Sequence, residues 1–124
     1  MAGFRYIVED VDAAITFYEG LGFEPAMHPA PEFAMLRRDD LQLFLNAPRG
    51  PGGAAQPASD GRRPEPGGWN RIHFVVDDLA SEVERLRAAG VTFRNDIVSG
   101  PGGRQILLDD PSGNPIGLFQ PAAA

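Results

Sequence analysis

The stretch FRYIVEDVDAAITFYEGLGF, residues 4–23, recurs as IHFVVDDLASEVERLRAAGV, residues 72–91, and this recurrence decides the fold. In the first copy, residues 4–8 are aromatic and β-branched and read as a strand. Asp10 follows as a helix N-cap, Val11, Ala14, Ile15 and Tyr18 recur at helical spacing, and Gly22 ends the helix. In the second copy the strand is Ile72-His73-Phe74-Val75-Val76. Its cap is Asp78, its stripe Leu79, Val83 and Leu86, and its terminator Gly90. Val8 and Val76, Asp10 and Asp78, Tyr18 and Leu86, Gly22 and Gly90 all correspond without a gap, at an offset of 68 residues. An internal repeat of this kind marks two copies of one supersecondary unit.

Each unit is followed by shorter strand candidates, near 24–28, 33–38 and 41–46 in the first half and near 92–97, 104–108 and 116–120 in the second. Asp39-Asp40 and Asp109-Asp110 fall at matching hairpins, the second extended by Pro111-Ser112-Gly113-Asn114. Solvated turns and helix caps account for these carboxylates better than catalytic pairs do. Each half therefore reads β-α-β-β-β. Residues 47–69 hold eleven Gly or Pro among twenty-three, a composition that excludes a helix or an inner strand.

The pairing of Val8-Glu9-Asp10-Val11 with Phe17-Tyr18-Glu19-Gly20-Leu21-Gly22-Phe23, and of Val76-Asp77-Asp78-Leu79 with Leu86-Arg87-Ala88-Ala89-Gly90-Val91, resembles the vicinal oxygen chelate superfamily. This is the glyoxalase, bleomycin-resistance and extradiol-dioxygenase group. Asp109-Asp110-Pro111-Ser112-Gly113-Asn114-Pro115-Ile116 resembles its D-P-x-G-N hairpin. The resemblance implies an α+β fold: two tandem β-α-β-β-β modules forming a curled, cup-shaped mixed sheet with the helices outside. On this expectation residues 1–124 are one such domain, with module one at 3–46, a loop at 47–69 and module two at 70–120.

The resemblance also implies four metal ligands, two on the first strands and two on the last. Carried over by motif, those positions are Gly3, Gln42, Arg71 and Gly117. Glycine has no side-chain donor and a guanidinium offers no lone pair. Only Gln42 brings an oxygen, and hard cations favour several carboxylates. Nothing in the spacing demands a displaced site from His28, His73 and Glu32. The expectation is a chain with no metal and no other cofactor.

Composition narrows the remaining classes. There are no cysteines, which removes thiolate metal sites and thiol nucleophiles. All eleven basic residues are Arg, so Schiff-base chemistry is excluded. The net charge of −6 and only two short basic pairs, Arg37-Arg38 and Arg62-Arg63, argue against nucleic acid. No apolar run approaches a membrane span and the N-terminus lacks signal-peptide character, so a cytoplasmic location is expected. No nucleophile elbow is present, and Gly50-Pro51-Gly52-Gly53 and Gly100-Pro101-Gly102-Gly103 read as turns rather than phosphate loops.

Strand alternation separates a helix-packing face from an open one. Tyr6, Val8, Leu43, Leu45, Phe74, Val76, Ile116 and Leu118 fall on the first, whereas Arg5, Ile7, Gln42, Phe44, Arg71, His73, Val75 and Phe119 fall on the second. The candidate ligand-binding residues are therefore Arg5, Ile7, Gln42, Phe44, Arg71, His73 and Phe119, with Trp69 closing over a ligand or simply packing. An apolar concavity with a few polar groups suits a bulky, partly planar small molecule. The resemblance is to the metal-free bleomycin-resistance branch: a non-catalytic protein that sequesters a compound such as an antibiotic at a homodimer interface. No catalytic residue is assigned. The alternative is an enzyme of the same fold, either metal-dependent (lyase, dioxygenase or thiol transferase) or a metal-free isomerase or cyclase using His73 or a carboxylate.

Overall fold

The computed structural model describes residues 2–123. Its elements run β1 (Gly3–Ile7), α1 (Val11–Glu19), β2 (Glu24–Ala30), β3 (Phe33–Arg38), β4 (Leu41–Asn46), β5 (Ile72–Val75), α2 (Leu79–Ala88), β6 (Thr92–Phe93), β7 (Val98–Gly100), β8 (Gly103–Asp109) and β9 (Pro115–Pro121). The chain divides into two compact units between Gly67 and Gly68, so the loop after β4 belongs to the first. The fold is α+β, with a four-stranded mixed sheet ordered β1-β4-β3-β2 in the first unit. A five-stranded one ordered β5-β9-β8-β6, with β7 also on β8, fills the second.

The helix signals act as their chemistry requires. Asp10 accepts the Ala13 N–H at 3.1 Å, and Asp78 accepts the Ser81 N–H at 3.1 Å and the Ser81 hydroxyl at 2.8 Å. Both helices end in the same glycine turn. Gly22 and Gly90 take φ of 91° and 84°, where an L side chain is strained. Phe23 N–H donates to Tyr18 O and Val91 N–H to Leu86 O, closing the last turn as a Schellman motif.

One face of each sheet packs on its helix. In the first unit Tyr6, Val8, Leu36, Leu43 and Leu45 are buried with Val11, Ala14 and Tyr18 of α1. The Tyr6 and Tyr18 rings stack at 5.8 Å, and Phe23 meets Tyr18 edge-on at the same distance. In the second, Ile72, Phe74, Ile106, Leu108, Ile116 and Leu118 are buried with Leu79, Val83 and Leu86.

Two expectations need correction. The strand expected near 92–97 is only two residues long, β6 at 92–93, and β7 begins beyond it at Val98; between them Asn95 Oδ1 accepts the Leu107 N–H at 2.9 Å in place of a backbone ladder bond. Asp110 is not a solvated turn residue. It is buried and accepts from Ser112 N–H, Asn114 N–H and Asn114 Nδ2, which fastens the 110–114 turn from inside.

Candidate functional site

Period-two alternation leaves the other face of the first sheet to Arg5, Ile7, Phe33, Met35, Gln42, Phe44 and Asn46. Across the strands Arg5 stands opposite Phe44, and Phe44 opposite Met35. The next row is Ile7, Asn46, Phe33 and Ala30. The Arg5 guanidinium lies over the Phe44 ring at 5.0 Å, a cation–π contact. Phe33 stacks near-parallel to Phe44 at 6.4 Å.

The loop after β4 folds back onto this face. Ala47 N–H donates to Glu32 O, Arg49 donates to Glu9 O and lies 3.5 Å from its carboxylate, and Gln56 Nε2 donates to the carbonyls of Gly50 and Gly52. These bonds hold residues 49–54 against the end of the face, and between the two lies a half-open cavity of about 330 Å³. Arg5, Glu32, Phe33, Asn46, Arg49 and Gly52 are among its lining residues. Asn46 is 5% exposed, and its Oδ1 accepts no hydrogen bond.

The open face of the second sheet carries the other sequence candidates. His73 pairs with Gly117 and Val75 with Phe119, and the His73 and Phe119 rings meet at 5.2 Å. Arg71 lies beside Gly117 and donates to Trp69 O at 3.0 Å. Trp69, 69% exposed, rests its ring 4.8 Å from the Arg94 guanidinium, so it is held by its own unit's 109–114 hairpin. Arg94 in turn donates to Asp109 Oδ1 at 2.6 Å and to the carbonyls of Gly68 and Gly113.

Of the eight candidates, Arg5 lines the cavity directly and Phe44 joins it through Arg5 and Phe33. Ile7 shares the row of Asn46 and Phe33, while Gln42 stands two rows away from it, between Gly3 and Arg37. Trp69, Arg71, His73 and Phe119 lie in the second unit. Asn46, Phe33, Glu32 and Arg49, which line the cavity, are not among the eight sequence candidates. Phe33 alternates with buried Ala34 and Leu36, which places it on the open face.

The sheet register also revises the metal positions. Phe4 pairs with Leu43 and Ile72 with Ile116, so Leu43 corresponds to Ile116 and Phe44, not Gln42, corresponds to Gly117. The two units fill the equivalent places in opposite ways. A Cβ on Gly3 would lie 2.6 Å from the Phe44 ring, whereas a Cβ on Gly117 would lie 3.4 Å from Arg71 Nε. Glycine, phenylalanine, arginine and glycine supply no lone pair for a cation, so the residues present do not fit the superfamily's metal. Among the described residues no group of three His, Cys, Asp or Glu is placed to hold an ion; His28 instead faces Asp12 at 3.7 Å.

Two repeated β-α-β-β-β units each leave an open, partly aromatic face opposite their helix. The model of the Glyoxalase/Bleomycin resistance protein/Dioxygenase superfamily matches residues 2–118, and the chain belongs to that superfamily. Among solved structures it is similar to TnmS3, an antibiotic binding protein from Streptomyces sp. CB03234 (27% identity, 97% of this chain and 93% of that one, TM-score 0.71). It is similar to a superfamily member from Sphaerobacter thermophilus DSM 20745 (28%, 97% and 95%, TM-score 0.74). It also shares its fold with lactoylglutathione lyase from Agrobacterium tumefaciens (21%, 97% and 92%, TM-score 0.72). No curated protein matches. Among the described residues no helix is long and apolar enough to cross a membrane.

Proposed function

We propose that this chain is a non-catalytic binding protein that sequesters a bulky, partly planar organic compound such as an antibiotic. The observation that carries the reading is the cavity of the first unit, bordered by the Phe33 ring, by Arg5 packed on the neighbouring Phe44, and by the folded loop after β4. Apolar walls with a few fixed polar groups hold a flat ligand by burial and orient it by hydrogen bonds. The similarity to an antibiotic binding protein supports the same reading. Arg71, His73, Phe119 and Trp69 form a second surface proposed to contact ligand, with His73 and Arg71 offering donors beside an aromatic ring.

The reading includes a homodimer, because Val75 and Val98 leave apolar area exposed on the second sheet, and symmetric pairing is the usual way to cover it. The test is a calorimetric and tryptophan-fluorescence titration against a panel of antibiotics, with sedimentation of the free protein. Tight binding of a compound recovered unchanged is the expected result. A bound compound recovered chemically altered would establish the enzymatic alternative, and a 13.3 kDa particle at micromolar concentration would remove the dimer.

A further inference from the structure

We propose that Arg71 takes the part that the superfamily gives to a metal: with His73 it makes the open face of the second sheet a receptor for the oxyanion of an apolar organic acid. The inference rests on the binding reading above, names the ligand chemistry of its second surface, and starts from the misfit between this chain and a metal.

The sheet fixes the charge in place. Gly117 pairs with His73 and is buried, although it lies in the row of the open face. Arg71 lies over it: a Cβ on Gly117 would be 3.4 Å from Arg71 Nε and 3.7 Å from its Cδ. An arginine stem laid along the sheet holds its cation beside the face instead of out in solvent. Arg71 Nη1 also donates to Trp69 O at 3.0 Å, which ties the guanidinium to the chain just before β5. In the first unit the equivalent pair is Phe44 over Gly3, which brings no charge.

That cation has no counter-ion in the protein. Among the described residues neither Arg71 nor His73 is paired with a carboxylate, and Arg71 makes no hydrogen bond beyond the one to Trp69 O. Asp109, two residues along β8 from Leu107 and in the same alternation, is taken by Arg94 at 2.6 Å. A guanidinium carries five N–H donors and an imidazole at least one, so most of the donor capacity flanking Gly117 is unspent. Both side chains are exposed, so water serves these donors in the free protein. An oxyanion replaces that water with shorter, charge-assisted bonds.

The neighbours select the body of the ligand. Leu107 stands on the far side of Gly117 from His73, and Phe119 is the next residue of the same alternation on β9. The His73 ring leans on Phe119 at 5.2 Å with 36° between the planes. An acid with an apolar body sets its charge on Arg71 and His73 and its body on Leu107 and Phe119. A small hydrophilic anion gains only the first contact and a neutral apolar compound only the second.

The test uses the full chain, with benzoate as probe, benzamide as the analogue without the charge and acetate as the analogue without the apolar body. Binding is followed by ¹⁵N–¹H amide shifts. Benzoate is expected to bind about tenfold or more tightly than either, with the shifts centred on residues 71–75 and 117–119. Arg71→Gln should bring benzoate and benzamide within about twofold of each other and keep the preference over acetate. His73→Ala should lower the benzoate preference over benzamide by a smaller factor. Equal affinity for benzoate and benzamide, shifts centred elsewhere, or an unchanged preference in either variant would overturn the inference. If neither variant folds, the three-probe comparison on the unaltered chain decides it. Tight antibiotic binding without these preferences would overturn this inference alone. The expected preferences with no binder in the antibiotic panel would overturn sequestration of a bulky compound alone.

Discussion

The two sheets present their helix sides alike and their open sides differently. Tyr6, Leu43 and Leu45 in the first unit match Phe74, Ile116 and Leu118 in the second, and all six are buried. On the other side Arg5 corresponds to His73, Phe44 to Gly117 and Asn46 to Phe119. The first open face is flanked by its own loop, which borders a half-open cavity on it, whereas the second leaves Val75 59% exposed. A duplicated unit is held to its pattern where burial requires apolar shape, and is released from it where nothing but function constrains the side chain.

The largest effects should come from testing the equivalence itself. Leu43→Ala and Ile116→Ala each empty a fully buried place at the same point of the register. Each should cost about 2–5 kcal/mol in denaturant unfolding, and by similar amounts if the two cores are equivalent. A cost at one site several-fold that at the other would break the comparison.

The reversed filling gives the next contrast. Gly3→Ala drives a methyl into the Phe44 ring, 2.6 Å away, and should cost about 1–3 kcal/mol. The double variant with Phe44→Leu should recover much of it. Gly117→Ala meets the flexible Arg71 side chain at 3.4 Å and the Ile72 carbonyl at an ordinary 3.8 Å, with no left-handed φ to strain it, and should be neutral within about 1 kcal/mol. Thermal melts of the three variants decide the asymmetry.

Two arginines hold the two ends of the inter-strand loop, and they are not equal. Arg94 is half-buried and satisfies Asp109, Gly68 O and Gly113 O while supporting Trp69. Arg94→Ala leaves those acceptors unpaired and should cost about 1–3 kcal/mol, with a shift in the emission of the single tryptophan. Arg49 pairs with Glu9 in solvent, and Arg49→Ala should cost less than about 1 kcal/mol. Equal losses would mean that the two anchors do the same job.

These contrasts also show what could be read from the chain in advance. Caps, stripes and glycine stops are local chemistry, so both strand–helix units and the faces of Arg5, Phe44, His73 and Phe119 follow from spacing alone. The correspondence between last strands does not, because the β3–β4 hairpin turns on residues 39 and 40 while β8–β9 uses residues 110–114. Matching Leu41-Gln42-Leu43 to Ile116-Gly117-Leu118 ignores that difference and lands two residues off. The loop flanking the first face was illegible for another reason. Residues 49–54 carry neither period two nor 3.6, and their position depends on Arg49 reaching Glu9 and Gln56 reaching two carbonyls.

The smallest expected effect separates the two helix caps. Asp10 accepts one backbone N–H, from Ala13, while Asp78 accepts both the backbone N–H and the hydroxyl of Ser81. Those bonds, the backbone one foremost, hold the Asp78 carboxyl below its ordinary value. A carboxyl depressed in the folded state contributes stability that is fully present above its unfolded value and disappears as pH falls through the folded one. Acidification should therefore loosen the start of α2 only below the ordinary carboxylate range. Ser81→Ala removes the hydroxyl and should move the Asp78 titration upward, read from its side-chain carbonyl shift. The α2 amides should then lose protection at a higher pH than in the unaltered chain, while those of α1 should not change. An unchanged Asp78 titration in Ser81→Ala would show that the second bond adds nothing and that the two caps are equivalent after all.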